Sequence, residues 1–246
     1  MNMSAEETEK LKYEKQFEGN YIEKFQKRDF GEFFPGRVLS WEKHNEKVLF
    51  VGEFASLELT VISSSIFKFR FGIDGYFEDD FSYAISPDFK PHPIKFSAKE
   101  KDGVVAITTE SITCEVNLAT FSCTMLDMYG KVVLEDEKGF HWREELKYGG
   151  NIPVCTKKTT AHESFFGLGD KTGKLNRRGT RNHLWGTDCY GYTNDTDPVY
   201  KNIPFYLGLN DGVGYGIFFD NTFRSFFDFA KERPEVTSFW ASGGEM

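Results

Sequence analysis

The 246-residue sequence is short of several things. No stretch approaches the ~18 apolar residues of a spanning helix, which argues against a helical membrane protein. The first thirty residues are charged and hold no apolar segment of the signal-peptide kind, so the cytoplasm is the expected compartment. Cysteine is scarce. Cys114, Cys123, Cys155 and Cys189 form no C-x-x-C pair and no common zinc spacing, so they read as free thiols of a reducing compartment. Basic charge is in deficit, with 30 Lys and Arg against 38 Asp and Glu and a net charge of −8. Phosphate contacts need clustered Lys and Arg, so neither nucleic acid nor an anionic membrane surface is an expected partner. His44, His92, His141, His162 and His183 include no i, i+4 metal pair, and no G-x-S-x-G elbow occurs. No metal and no cofactor are expected.

What the sequence has in quantity is aromatics, 17% of residues, with 26 Phe among them. Strands favour aromatic and β-branched side chains, so this composition points to a β-rich fold. Leu57–Val61 and Ile66–Phe71 alternate apolar and polar residues, as strands with one buried face do. Val48–Val51, Val104–Thr109, Ile112–Asn117, Ser122–Leu126 and Val132–Leu134 are further short strands, and Tyr129-Gly130-Lys131 reads as a hairpin tip. Asn210-Asp211-Gly212 between Ile203–Leu209 and Gly214–Asp220 is a strong hairpin signal. Phe223–Phe229 and Thr237–Ala241 continue the pattern. No βαβ spacing is present, so a doubly wound sheet is not expected. The expected fold is all-β, an antiparallel sandwich over residues 31–246. A helical extension is expected over 1–30, where Ser4 and Glu7 have capping-box spacing and Leu11, Phe17, Tyr21 and Phe25 share a face.

Gly167-Leu-Gly-Asp-Lys-Thr-Gly173-Lys174 looks like a phosphate loop, but the spacing is wrong and no helix-opening Ser or Thr follows Lys174. It reads as a glycine-rich turn after a strand over Ser164–Leu168. Between Gly167 and Tyr200 little periodicity is visible, and loops of that length in compact domains usually have a function. This stretch carries Asp188, Asp195 and Asp197 among Trp185, Tyr190, Tyr192 and Tyr200. Rings that cover the apolar face of a pyranose, beside a carboxylate that accepts from its hydroxyls, suit a sugar. The same aromatics could instead plug the end of the sandwich. The Glu78-Asp79-Asp80 run reads as a solvated loop.

Taken in order, several pieces add up. They are Phe165-Phe-Gly-Leu-Gly-Asp-Lys-Thr-Gly173, Leu175-Asn-Arg-Arg-Gly179, Leu184-Trp-Gly-Thr-Asp188, Thr196-Asp-Pro-Val-Tyr200, Ile203-Pro-Phe205, Tyr215-Gly-Ile-Phe-Phe-Asp-Asn-Thr222 and Phe226-Phe-Asp-Phe229. The set closely resembles the N-terminal domain of glycoside hydrolase family 31, the α-glucosidases and α-xylosidases. The resemblance implies a sandwich of the galactose-mutarotase type. In the family this domain packs on a following (β/α)₈ barrel that holds both catalytic aspartates of a retaining mechanism. It also implies that no catalytic residue lies in these 246 residues. An α-linked oligosaccharide and the barrel of the same polypeptide are the implied partners. Asp188 is the residue implied to contact substrate, with Trp185 and Tyr190 at the rim. A sandwich without its barrel is expected to self-associate in part. A free-standing carbohydrate-binding module and a mutarotase-type aldose epimerase are the alternatives.

Overall fold

A computed structural model describes residues 31–145 and 150–246. The expected helical extension over 1–30 lies outside the described residues. Within them every regular element is a strand. In chain order these are β1 (Val38–Lys43), β2 (Lys47–Gly52), β3 (Ala55–Ser63), β4 (Ile66–Ile73), β5 (Ser97–Lys101), β6 (Val104–Thr108), β7 (Ile112–Asn117), β8 (Cys123–Asp127), β9 (Val132–Glu144), β10 (Asn151–Lys158), β11 (Ser164–Gly169), β12 (Thr180–Leu184), β13 (Asn202–Asn210), β14 (Val213–Phe218), β15 (Ser225–Phe229) and β16 (Val236–Ala241).

They form three antiparallel sheets. The largest has nine strands in the order β12-β15-β16-β10-β9-β8-β7-β6-β5. A four-stranded sheet, β1-β2-β3-β4, and a three-stranded sheet, β11-β13-β14, share the other layer. The large sheet covers both because β9 is long. Its first residues pair with β8, and Asp136–Glu144 pair with β10.

The register explains the sandwich. Phe227, Phe239, Cys155 and Phe140 lie side by side across β15, β16, β10 and β9, and all four are buried. Their shared face is the core face. Phe140 stacks on Phe71 of the four-stranded sheet at 5.6 Å, and Phe239 meets Phe219, just after β14, at 5.3 Å. Phe165 of β11 stacks on Phe229 at 4.9 Å. Each fully buried phenylalanine contributes about 1.5–3 kcal/mol, so the buried rings among the sequence's many aromatics are a main part of the core. The opposite face carries the neighbouring row His183, Phe226, Trp240, Val154 and His141. There His183 stacks on Phe226 at 4.6 Å and Phe226 on Trp240 at 5.2 Å.

Turn chemistry sets the hairpins. Asp211 and Gly212 both have positive φ, 49° and 78°, and join β13 to β14 as a two-residue loop of the type that strand twist favours. At the β8–β9 tip the Asp127 carboxylate accepts from the Tyr129 and Lys131 amides.

Candidate functional site

The glycine-rich run begins inside β11 and serves strand pairing. Gly167, Leu168 and Gly169 all have positive φ where the pairing of β11 with β13 shifts register. A Cβ on Gly167 would come within 2.6 Å of the Phe205 carbonyl oxygen. The glycines let two backbones approach closely.

The residues that follow build a clamp. Asn176 folds back on β11. Its side-chain oxygen accepts from the Phe165 and Arg178 amides, and its amide donates to Ser164 Oγ. This seats Arg177, which is buried and donates to the carbonyls of Thr172 at 2.7 Å and Lys171 at 3.2 Å. Lys171 is thereby aimed inward, and its side chain is only 1% exposed. Its ammonium donates to the His183 carbonyl at 2.6 Å, to Asp197 Oδ1 at 2.8 Å and to Asn202 Oδ1 at 3.3 Å. Asp197 Oδ2 accepts from the His183 amide at 2.6 Å. One buried cation therefore ties together the end of β12, the start of β13 and the return of the loop between them.

The loop runs from Trp185 to Tyr200 and hangs from that clamp. It does not begin until residue 185, because β12 occupies Thr180–Leu184 inside the stretch that looks aperiodic in sequence. Of the three acidic candidates, Asp197 is spoken for by Lys171 and has a structural role. Asp195 is exposed, and its amide donates to Thr193 Oγ1. Asp188 is exposed, and among the described residues no hydrogen bond or ion pair to it is formed. The three arginines nearest in sequence are engaged elsewhere. Arg177 holds the carbonyls named above, Arg178 reaches Pro234 and Glu163 carbonyls, and Arg181 pairs with Asp228 and Glu232. A carboxylate that serves structure is usually saturated by such donors, and Asp188 keeps its lone pairs free.

The aromatic candidates lie on the same loop. Trp185 is half exposed, and the Arg224 guanidinium lies over its ring at 4.8 Å from the centroid. Tyr190 is 90% exposed. Tyr192 meets Tyr200 edge to face at 6.3 Å. The Tyr200 phenol is pushed above the usual tyrosine value, first by desolvation and then by nearby Cys189 and Asp188. The structure thus brings Trp185, Asp188 and Tyr190 onto one exposed, anchored loop. Lys171 and Arg224 are the residues that sequence reading passes over, and Arg177, a candidate partner of Asp188 by sequence proximity, instead holds the Thr172 and Lys171 carbonyls. Lys171 and Arg177 lie within the quoted motifs, but nothing local shows that they point inward. Among the described residues no three His, Cys, Asp or Glu side chains gather in a group able to hold a metal ion.

Comparison with known proteins bears on this arrangement. The family model of the glycosyl hydrolase 31 N-terminal galactose mutarotase-like domain matches residues 56–228. Alpha-glucosidase 2 of Bacillus thermoamyloliquefaciens is 31% identical over 179 residues, which is 72% of this chain and 22% of that protein. Alpha-xylosidase XylQ of Lactiplantibacillus pentosus is 31% identical over 111 residues, 45% of this chain and 12% of that protein. Among solved structures, the dextranase of Flavobacterium johnsoniae in complex with isomaltotriose superposes with a TM-score of 0.75 at 32% identity. That match covers 87% of this chain and 26% of the dextranase. The chain therefore spans about a quarter or less of the length of these relatives.

Proposed function

The chain belongs to the family of glycosyl hydrolase 31 N-terminal galactose mutarotase-like domains, and on that premise we propose that it is the non-catalytic N-terminal domain of a retaining α-glycosidase whose 185–200 loop forms one wall of the substrate pocket. The observation that carries the reading is Asp188, a carboxylate without partners on a loop fixed by a buried lysine. A loop held in place keeps the ordering cost of ligand binding low.

Asp188 accepts hydrogen bonds from sugar hydroxyls, and Trp185 and Tyr190 offer ring faces at the rim. Proton transfer and nucleophilic attack belong to two carboxylates of a (β/α)₈ domain that completes the enzyme, as a double displacement requires. The domain division is residues 31–246 as the sandwich, preceded by 1–30. The isomaltotriose bound by the dextranase supports an α-linked gluco-oligosaccharide as the substrate class, with an α-glucosidase as the favoured parent activity. Four free cysteines, three of them buried, support a reducing compartment such as the cytoplasm.

Two assays of the 246-residue chain test this. It should not hydrolyse an aryl α-glucoside, because the reacting carboxylates are elsewhere. It should bind isomaltotriose weakly or undetectably by calorimetry, because half the pocket is elsewhere. Turnover by the pure chain overturns the non-catalytic assignment. Millimolar or tighter binding makes it a self-sufficient carbohydrate-binding module instead.

A further inference from the structure

The outward face of the nine-stranded sheet carries a row that the substrate-pocket reading leaves unused. His183, Phe226, Trp240, Val154 and His141 lie side by side there, across β12, β15, β16, β10 and β9. The planes of His183 and Phe226 differ by 9°, and those of Phe226 and Trp240 by 15°. Parallel rings on adjacent strands spend their faces on one another, so the row is no flat platform for a sugar. It is an apolar ridge. Although this face points away from the core, Val154 is only 4% exposed and His141 0%. Neither of the other two sheets lies on that side, and an apolar sheet face is normally buried against a further element.

The described chain enters the fold at one end of this row. Phe33 and Trp142 exchange backbone hydrogen bonds of 2.8 and 3.0 Å, which lays residues 32–34 along β9. Glu32 pairs with Lys138, and its carboxylate lies 3.6 Å from His141 Nε2. Phe34 stacks on the His141 ring at 5.4 Å. The segment before Gly31 is therefore tethered beside the β9 end of the ridge. In sequence, Glu14, Phe17, Glu18, Tyr21 and Phe25 recur at i, i+3, i+4, i+7 and i+11, one face of a helix. Two carboxylates inside an apolar face call for cationic partners. The sheet offers them beside the row, where Arg143 lies over Trp240 at 5.7 Å and Arg224 over Trp185 at 4.8 Å.

We propose that the N-terminal segment of the same chain covers this ridge, as an amphipathic helix whose Phe17, Tyr21 and Phe25 lie on the Val154, Trp240 and Phe226 row. The dimensions agree. From Leu11 to Phe25 a helix rises about 21 Å, and the five strands of the row span about 19 Å. The stretch from Phe25 to Gly31 reaches about 20 Å at most, so Phe25 sits toward the β9 end and Leu11 toward β12. Glu14 and Glu18 then face the side of the sheet that carries Arg143 and Arg224. The proposal is independent of the function proposed above. It gives the segment a structural task, the third layer over one end of the sandwich.

Two measurements on the 246-residue chain test the proposal. The first is amide hydrogen exchange, which needs no variant. Residues 14–25 should exchange at least about tenfold more slowly than a free chain, as a packed unit does. Exchange at the free-chain rate overturns the proposal. The second is hydroxyl-radical footprinting of the parent chain and of the variant Phe17→Asp/Tyr21→Asp. Oxidation of Trp240 and Phe226 should rise by about threefold or more in the variant, because their cover is released. Tyr129, 85% exposed at the β8–β9 tip, is the internal reference. Gln16→Asp/Lys27→Asp, on the opposite helical face, should leave Trp240 as it is in the parent. Protection of 14–25 with no change at Trp240 in the Phe17/Tyr21 variant places the segment elsewhere and overturns the proposal. Protection that grows with protein concentration, with a dimer mass in light scattering, puts the segment on a second copy and overturns it too.

Discussion

Replacing Lys171 by methionine removes the clamp while keeping the volume of the side chain. Three hydrogen bonds to the ammonium are lost, at 2.6, 2.8 and 3.3 Å. Asp197 loses its cation and retains only the His183 amide. Removing one partner of a fully buried ion pair costs about 3–5 kcal/mol. The lysine is buried here, but the Asp197 side chain is 25% exposed, so water can rehydrate the orphaned carboxylate. The expected loss is therefore about 1.5–3 kcal/mol, the range of hydrogen bonds to charged groups. In a domain of this size that corresponds to a fall in Tm of about 3–12 °C. The assay is urea denaturation of K171M, D197N and the double variant, with hydrogen exchange read over residues 185–200. Coupling of about 1–2 kcal/mol between the two sites is expected, because they belong to one network. Exchange should accelerate in the loop while the amides of β10 and β16 keep their protection. A K171M midpoint within about 0.5 kcal/mol of the parent chain, or a coupling near zero, would refute the clamp.

Two further perturbations follow from the same structure. Lys157 and Asp136 form an ion pair inside the sandwich, where the Cys123 amide also donates to Asp136 at 2.7 Å. Lys157→Met leaves that carboxylate buried with one donor and should cost about 3–5 kcal/mol in urea denaturation, with much of the loss recovered when Asp136→Asn is added. A separate expectation concerns pH. Burial holds the imidazoles of His141 and His183 below the usual histidine value. Below about 6.5 the unfolded chain therefore takes up protons that the folded chain refuses, and stability must fall as the pH drops from 7 through that interval. The double variant H141Q/H183Q should show a shallower fall between pH 7 and 5.5. Glu137, whose partial burial is outweighed by Arg233, sits below the usual carboxylate value and loses its contribution only at lower pH.

The parts of this fold legible in the sequence are those where one face of a strand is wet and a turn residue marks its end. β6, β7, β13 and β14 are visible from alternation together with Asp211-Gly212 and the Tyr129-Gly130 tip. β10 is not, because it is central. Residues 153–157 are buried on both faces, Lys157 among them, and only its distant partner Asp136 makes that lysine tolerable. The second half of β9 is hidden for a similar reason, since charged residues and Gly139 interrupt the pattern where the strand changes register. β5 and β12 are edge strands, Ser-Ala-Lys-Glu-Lys and Thr-Arg-Asn-His-Leu, whose polar character protects an open edge and erases the apolar period. In the candidate site, the grouping of Trp185, Asp188 and Tyr190 is legible because those residues are close in sequence. The roles of Asp188 and Asp197 are not separable there, because the lysine that distinguishes them sits 26 residues from Asp197.

The central claim is that Asp188 faces substrate and supports nothing else in the fold. The measurement that tests it most directly is kcat/KM of the full-length enzyme and its Asp188→Ala variant on an α-linked glucose disaccharide, with Tm recorded for both. Losing a hydrogen bond from a sugar hydroxyl to a charged group costs about 1.5–3 kcal/mol, so kcat/KM should fall by roughly 10- to 150-fold. Tm should stay within about a degree, since an exposed side chain without partners contributes little to stability. Unchanged kcat/KM, or a loss of activity that tracks a lowered Tm, would contradict the account.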